Sequence, residues 1–408
     1  MNYSSFCISP ELPRPTKAEQ KAARRRVHEA AALHAPATLL EREQLYNLPA
    51  MLRFLDWCDE LMRTMRVTVL PWAVQASAYV ERALSSNDRP VHATAGLRLY
   101  SAIITIIASD RLGRSTTAQE AIRIANTCVT EHRDAIHWRL RAYYFRTVAL
   151  HAAVKRHDRS VAERALVMAR DVIRPFDNDC EQGCCFYVEA LIEMHCAKGS
   201  EKPRRTGLVI PEQLAGAALL FGKAVGLIDE GEKPELYDSA IANVSVCLAM
   251  DPSVDHLRAA LRHLDKARKR IGKRQRPLSL ATVKLDWLHG LILARLHCYG
   301  PSYRKLRGCC KRFLKLGAIG AYLGASLDLA LLHQTHSEKA HLARLATEVE
   351  PIATRYALEG GLGGTEVLRW CKQQLADEQG NDAAALLEKA GRLVGSPLSL
   401  TRAGSAFA

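Results

Sequence analysis

The chain has 408 residues, of which 48% are hydrophobic and 25% are charged, and its formal net charge is +14. This composition is typical of an ordered protein and argues against long disordered segments. The longest apolar runs, Ser101 to Ala108 and Leu214 to Leu220, are too short for a membrane-spanning helix. Prolines at positions 10, 13 and 15 stand where a signal peptide needs an apolar core, so we expect a cytoplasmic protein.

The N-terminal residues 1–60 do not fit the periodicity of the rest of the chain. Thr16 followed by Glu19 has the pattern of a capping box, which predicts a helix that ends near His34. The segments after it do not supply the three short helices of a DNA-reading helix-turn-helix. We therefore expect residues 1–60 to form a tail and capping helices.

Residues 61–395 are dominated by Ala, Leu, Arg and Glu at spacings of three and four, and alternating runs of Val, Ile and Thr are scarce. Glycine, proline and polar clusters divide this part into helices of about 15 to 22 residues with short turns between them. The sequence therefore predicts an all-α fold.

A recurring pattern appears in every second predicted helix: a small residue, a large apolar one four positions later and a small one three further. The copies are Ala76/Val80/Ala83, Ala118/Ile122/Ala125, Ala162/Leu166/Ala169, Ala217/Phe221/Ala224, Ala260/Leu264/Ala267, Ser302/Leu306/Cys309 and Ala383/Leu387/Ala390, with a degraded copy at Glu338/Leu342/Leu345. Successive copies start 42, 44, 55, 43, 42, 36 and 45 residues apart. The long interval contains a polar insertion at residues 198–211, a predicted loop.

This spacing places the three side chains on one helical face, where two small residues let a neighbouring helix approach closely. A near-constant interval is typical of stacked repeats. We predict a right-handed α-solenoid of antiparallel helix pairs, with long repeats of about 42 residues, over 61–395. Residues 396–408 are predicted to be a disordered tail.

The stretch from Leu112 to Ala121 resembles the turn and second helix of a tetratricopeptide repeat. Residues 285–352 are similar to the last repeats of bacterial tetratricopeptide-like proteins, including those whose arrays follow a helix-turn-helix regulator domain. The period is longer than the family's 34 residues, and Trp287 and Gly290 are the nearest counterparts of its Trp and Gly marks. The resemblance implies stacked helix pairs.

Two sets of residues could suggest a metal site. Cys180, Cys184, Cys185, His195 and Cys196 lie within seventeen residues, but if residues 184–197 are helical, Cys185 and Cys196 are about 16 Å apart along the axis, too far for one metal ion. We therefore interpret the cysteines, here and elsewhere, as reduced core residues. Histidines also end three predicted first helices, at His151, His297 and His333, where a cation-capable side chain near a helix C-terminus is the simpler explanation.

Motifs for catalysis are not found: the chain has no phosphate-binding loop of the Walker type, no nucleophile elbow and no zinc-protease motif. Gly360 to Gly364 is rich in glycine but lacks the lysine and the preceding strand that a phosphate loop needs. We expect no enzyme activity, no cofactor and no metal.

First helices of a solenoid line a groove, and side chains that do not take part in stacking point into it. Large or charged residues on three of these helices are our candidates for partner binding: Arg139, Tyr143, Arg146, Asn243, Lys284, Trp287 and Arg295. The alternative is that Tyr143 and Trp287 stack between helices and that the arginines are solvated.

Basic residues are concentrated in two segments, one in the N-terminal helix and one at a helix end: Arg24, Arg25, Arg26, Lys266, Arg268, Lys269, Arg270, Lys273, Arg274 and Arg276. Such a basic patch would favour an acidic partner. Cations in a last helical turn also suit the helix dipole, and net charge can serve solubility.

These patterns together predict a helical-repeat scaffold that binds a protein or peptide partner, for example as an accessory or regulatory subunit of a larger complex. Two alternatives stay open. A basic solenoid could bind nucleic acid with salt-sensitive affinity, and a regulator could sense a small peptide with its array. No membrane contact is expected.

Overall fold

The computed structural model describes residues 91–112, 115–196, 211–250, 253–274, 280–358 and 363–376, together with isolated positions and short stretches between Thr16 and Leu84. All thirteen α-helices given below lie in these ranges, where no strand occurs, so the predicted all-α class is confirmed. Contacts divide the chain into two compact units, Met1–Val188 and Glu189–Ala408. The predicted insertion loop, apart from Pro211, and the C-terminal tail lie outside the described residues, as does most of the region 1–60.

The N-terminal capping box is confirmed at the two residues that form it. The backbone N–H of Glu19 donates to Thr16 Oγ1 at 3.3 Å, and the N–H of Thr16 donates to Glu19 Oε2 at 2.7 Å. This reciprocal pair satisfies two backbone donors at the start of a helix.

The first unit contains four helices and the beginning of a fifth: α1 (Val91–Leu112), α2 (Ser115–Glu131), α3 (Trp138–His151), α4 (Arg159–Ile173) and α5 (Asp179–His195). Helices α1 and α2 pack as one pair, α3 and α4 pack as the next, and α1 contacts α3. Short turns connect the helices, so the partners in each pair are antiparallel.

The second unit holds the end of α5 and eight further helices: α6 (Pro211–Leu227), α7 (Pro234–Met250), α8 (Val254–Arg274), α9 (Leu280–Arg295), α10 (Tyr299–Lys315), α11 (Ile319–Thr335), α12 (Lys339–Leu358) and α13 (Gly364–Leu375). From α6 onward each helix packs against the next, and α7 contacts α9, as α9 contacts α11. Contact between alternate helices is the arrangement expected of stacked helix pairs. Among the described residues, no helix is long and apolar enough to cross a membrane.

The small-large-small faces lie in the helix interfaces. All but one of the fifteen residues in the five copies on α2, α4, α6, α8 and α10 are buried, and Ile122 is half-buried. The copy on α10 shows how the face works: Ser302 Oγ donates to the carbonyl oxygen of Gly290 on α9 at 2.8 Å. A Cβ at Gly290 would lie 2.9 Å from Leu306 Cδ2, so this approach needs a glycine.

Three consecutive turns in the second unit repeat at an interval of 20 residues. His297, Gly317 and Ser337 all have positive φ, at 59°, 67° and 56°. In each case the next residue donates its backbone N–H to a carbonyl five positions earlier, on Leu293, Phe313 and His333. The helix pair in this part of the chain therefore spans 40 residues.

This turn register corrects the position of the degraded copy of the pattern. Forty residues after Ser302 is Leu342, not Glu338, and Ser302 and Leu342 make the same backbone bond to the residue that precedes their helix. Residues 342, 346 and 349 are buried, whereas Glu338 lies at the N-terminal cap of α12. The two registers start four residues apart, which is about one helical turn. The spacing of four and three residues alone therefore cannot distinguish them.

Candidate partner-binding site

The predicted groove residues lie on α3, α7 and α9, each the first helix of a packed pair. Arg146 and Trp287 are buried, and the other five are half-buried: Arg139, Tyr143, Asn243, Lys284 and Arg295. Their contacts show which of them hold helices together.

Arg146 forms an ion pair inside the first unit. Its guanidinium lies 2.6 Å from Glu181 Oε2 on α5, and the arginine and glutamate side chains are 5% and 0% exposed. Nearby, burial raises the pKa of the Cys185 thiol, although Arg146 acts in the opposite direction. An isolated buried charge is costly, so each member of this pair requires the other. Arg146 thus joins α3 to α5.

Trp287 connects three helices of the second unit. Its indole N–H donates to Asp328 Oδ2 on α11 at 2.7 Å, and its ring meets Phe313 on α10 edge to face, with centroids 5.6 Å apart. The indole is 6% exposed and Asp328 is 1% exposed. Trp287 therefore packs between helices, as the alternative to a groove position describes.

Asp286, the residue before Trp287, is surrounded by three cations. Its carboxylate lies 3.1 Å from Arg268 on α8, and 3.2 Å from Lys305 and 2.7 Å from Arg312 on α10. Burial alone would raise the pKa of this carboxyl. The hydrogen bond from Arg312 and the charges of Lys305 and Arg268 outweigh burial and hold that pKa below its usual value.

Arg295 connects α9 to α7, because its guanidinium donates to the carbonyl oxygen of Ala249 in the last turn of α7. The last carbonyls of a helix have no partner inside the helix, and a cation suits the negative end of the helix dipole. Arg295 therefore caps the neighbouring helix.

The basic segment on α8 is partly neutralised. Besides Arg268, Arg270 forms ion pairs with Glu230 and with Asp238, the latter at 3.4 Å, and lies over the Tyr237 ring at 4.5 Å. Lys266 and Lys269 are exposed. The side chains of Lys273 and Arg274 lie outside the described residues, as do Arg276 and Arg24 to Arg26.

Besides Arg295, four of the predicted residues are half-buried and keep an accessible part: Arg139, Tyr143, Asn243 and Lys284. Arg139 and Tyr143 lie one turn apart on α3. Asn243 and Lys284 lie on α7 and α9, which contact each other.

An aromatic surface borders Arg139, and sequence reasoning did not include it in the site. The Arg139 guanidinium lies 5.2 Å from the centroid of the Trp138 ring, which stacks on Phe176 at 4.4 Å with an interplanar angle of 9°. Phe176 is 48% exposed. His137 caps the N-terminus of α3, and its Nδ1 accepts the backbone N–H of Arg139 at 3.2 Å. The only sign of this surface in the sequence is one aromatic residue near each of two helix ends.

The cysteines are buried at ten of the eleven described positions, and Cys298 is exposed. Cys180, Cys184, Cys185 and Cys196 all lie in or next to α5 and are buried, as core cysteines are. Burial raises the pKa of the Cys247 and Cys310 thiols to about 12. These thiols are therefore weak nucleophiles.

Comparison with known proteins shows a similarity in fold. No family model and no curated protein matches the chain. It is similar to the solved structure of a Rap protein in complex with competence and sporulation factor, with a TM-score of 0.56 and 12% sequence identity, over 86% of this chain and 88% of that chain. With its packed helix pairs, this chain has a tetratricopeptide-like helical-repeat fold.

Proposed function

We propose that this protein is a non-enzymatic helical-repeat regulator that binds a peptide or a segment of a protein partner. The observation that carries the proposal is the likeness, over most of both chains, to a Rap protein solved with its bound competence and sporulation factor. First helices of stacked pairs offer side chains to an extended ligand.

The accessible residues of the second unit suit a peptide. The Asn243 amide can both donate to and accept from a peptide backbone, and the Lys284 ammonium can pair with a carboxylate. Because α7 and α9 contact each other, both side chains can serve one segment of a ligand. In the first unit, Arg139 and the neighbouring aromatic rings have the chemistry of a binding surface.

Nucleic acid has less support as a partner. Arg268 and Arg270 of the basic segment are engaged by carboxylates, which lowers the positive charge that they present to a phosphate backbone. Nucleic acid therefore enters as an outcome of the test. A role as an accessory subunit in the cytoplasm is part of the same proposal.

The test is a pull-down from native cells with the wild-type chain and with Asn243→Ala/Lys284→Ala, followed by proteomics and nuclease-treated controls. We expect one defined protein or peptide partner with the wild type and at least tenfold less with the double variant. Arg262→Ala, an exposed substitution on α8 that removes the same single charge, should retain the partner.

Recovery of nucleic acid alone would contradict the proposal, and so would equal capture by wild type and both variants. The double variant Arg139→Ala/Tyr143→Ala repeats the same pull-down comparison for the first unit. Thermal melts of each variant separate lost binding from lost folding.

A further inference from the structure

A group of polar side chains lies where α10 meets the turn between α11 and α12. His333 lies in the last turn of α11, Glu338 directly precedes α12, and His341 lies in the first turn of α12. Ligand atoms of these three side chains all lie within 4.8 Å of one another. Tyr303 of α10 completes the group.

The contacts in this group converge on one carboxylate oxygen. Glu338 Oε2 is 2.6 Å from His333 Nδ1, 2.5 Å from the Tyr303 hydroxyl and 3.9 Å from His341 Nδ1. The Tyr303 hydroxyl also contacts His333 Nδ1. The imidazole rings of His333 and His341 stack with centroids 5.1 Å apart and an interplanar angle of 3°. Two imidazoles and a carboxylate thus share one small volume.

The fold does not require polar residues at these positions. The two preceding turns have the same backbone geometry, and the positions equivalent to His333 and Glu338 are Leu293 and Cys298 in one turn. In the other turn they are Phe313, which is fully buried, and Ala318. A histidine and a glutamate in the third turn are therefore a departure that turn formation does not explain.

We propose that His333, Glu338 and His341 form a binding site for a divalent transition-metal ion of the zinc class. Two histidines and one carboxylate are a known ligand set for such ions. Tyr303, hydrogen-bonded to the carboxylate, is the positioning residue that orients it.

The geometry requires only small adjustments. Ligand atoms around one zinc ion lie roughly 3.2 to 3.6 Å apart, as follows from bonds of about 2.0 to 2.2 Å in a tetrahedron. His341 is 61% exposed, so its side chain can move inward by the ~1 Å needed. The 2.6 Å hydrogen bond between His333 Nδ1 and Glu338 Oε2 is the contact that a bound ion would replace.

The three proposed ligands come from one short stretch of the chain. They lie within nine residues, so a bound ion would hold the end of α11 and the start of α12 together.

The experiment is calorimetric titration of ZnCl₂ into the untagged full-length chain, with His341→Ala, Glu338→Gln and His336→Ala in parallel. We expect one zinc equivalent that both His341→Ala and Glu338→Gln weaken at least tenfold. His336→Ala, which removes an exposed histidine of the same turn, should keep that equivalent. Mg²⁺ should not bind there, because it prefers oxygen ligands.

A second readout uses Co²⁺, whose visible absorption reports the nitrogen and oxygen ligands directly. The wild type should give a tetrahedral or five-coordinate spectrum that is lost in His341→Ala. Because His341 is exposed, this variant should fold normally, which circular dichroism checks. Equal zinc stoichiometry and affinity in wild type and His341→Ala, or no zinc binding by the wild type, would overturn the proposal. Neither result bears on peptide binding by the first helices.

Discussion

The three cations around Asp286 make the substitution Asp286→Asn informative. The Asp286 side chain is 6% exposed, and its carboxylate balances Arg268, Lys305 and Arg312 at once. An amide of the same shape keeps the packing and can accept one hydrogen bond, but it carries no charge. Three positive side chains would then face one another around a neutral group.

The expected loss follows from the exposure of the partners. Breaking a fully buried ion pair costs about 3 to 5 kcal/mol. Here the Arg268, Lys305 and Arg312 side chains are 42%, 25% and 33% exposed, so solvent screens part of their repulsion. We expect the second unit to lose about 2 kcal/mol, which corresponds to roughly a thirtyfold rise in the population of its open state.

The effect has a defined pH dependence. The folded pKa of Asp286 is lowered, so its stabilisation is fully present above the unfolded value of about 3.9 and is lost as the pH falls through the folded value. The difference in denaturation midpoint between wild type and variant should therefore be constant near neutral pH. It should shrink as the pH falls below about 4 and disappear below the folded pKa.

Native-state hydrogen exchange with mass spectrometry measures the loss locally, which matters because a two-unit chain need not unfold in one step. Peptides from α9 and α10 should exchange faster in Asp286→Asn. Asp255→Asn, which alters a 91% exposed carboxylate on α8, should change the free energy of opening by less than about 0.5 kcal/mol. If both variants behave alike, the Asp286 network does not stabilise the unit.

Four further substitutions and one labelling experiment test other features. Gly290→Ala should destabilise by about 1 to 3 kcal/mol in urea titrations, because its Cβ would collide with a buried leucine, whereas Gly308→Ala, with open space, should stabilise slightly. Ser337→Gly should raise the unfolding free energy by about 0.5 kcal/mol by removing a left-handed residue with a side chain, and Gly317→Ala should lower it. Iodoacetamide at pH 8 should label Cys298 at least tenfold faster than the buried cysteines, as peptide mapping would measure.

Each of these predictions has a result that would contradict it. Matching destabilisation by the two alanine variants on α9 and α10 would contradict the close approach of those helices. A less stable Ser337→Gly would mean that the serine side chain stabilises the turn. Rapid labelling of the core thiols would show that they are accessible.

The helix pairing was predictable because it depends on local spacing. Three residues on one helical face, four and three positions apart, mark an interface wherever the helix lies, and these faces are buried on five helices. The register of the degraded copy was not predictable. Shifting by one turn preserves the spacing, and only the backbone bonds at Ser337 and Glu338 fix it.

The site was predictable in part. The partial exposure of Asn243 and Lys284 is compatible with helix periodicity, but the partners of Arg146, Trp287 and Arg295 lie 35, 41 and 46 residues away along the chain. Pattern analysis of single helices does not contain such pairings. It can nominate a large polar residue, but it cannot tell whether that residue faces solvent or another helix.

The 20-residue turn interval has an evolutionary consequence. Because His297 and Ser337 occupy the same position in equivalent turns, a 40-residue segment between them can be duplicated or deleted with the same local backbone at both junctions. The array can thus gain or lose a whole helix pair without a new connection. An insertion of a few residues within a helix would instead rotate every later side chain out of its interface.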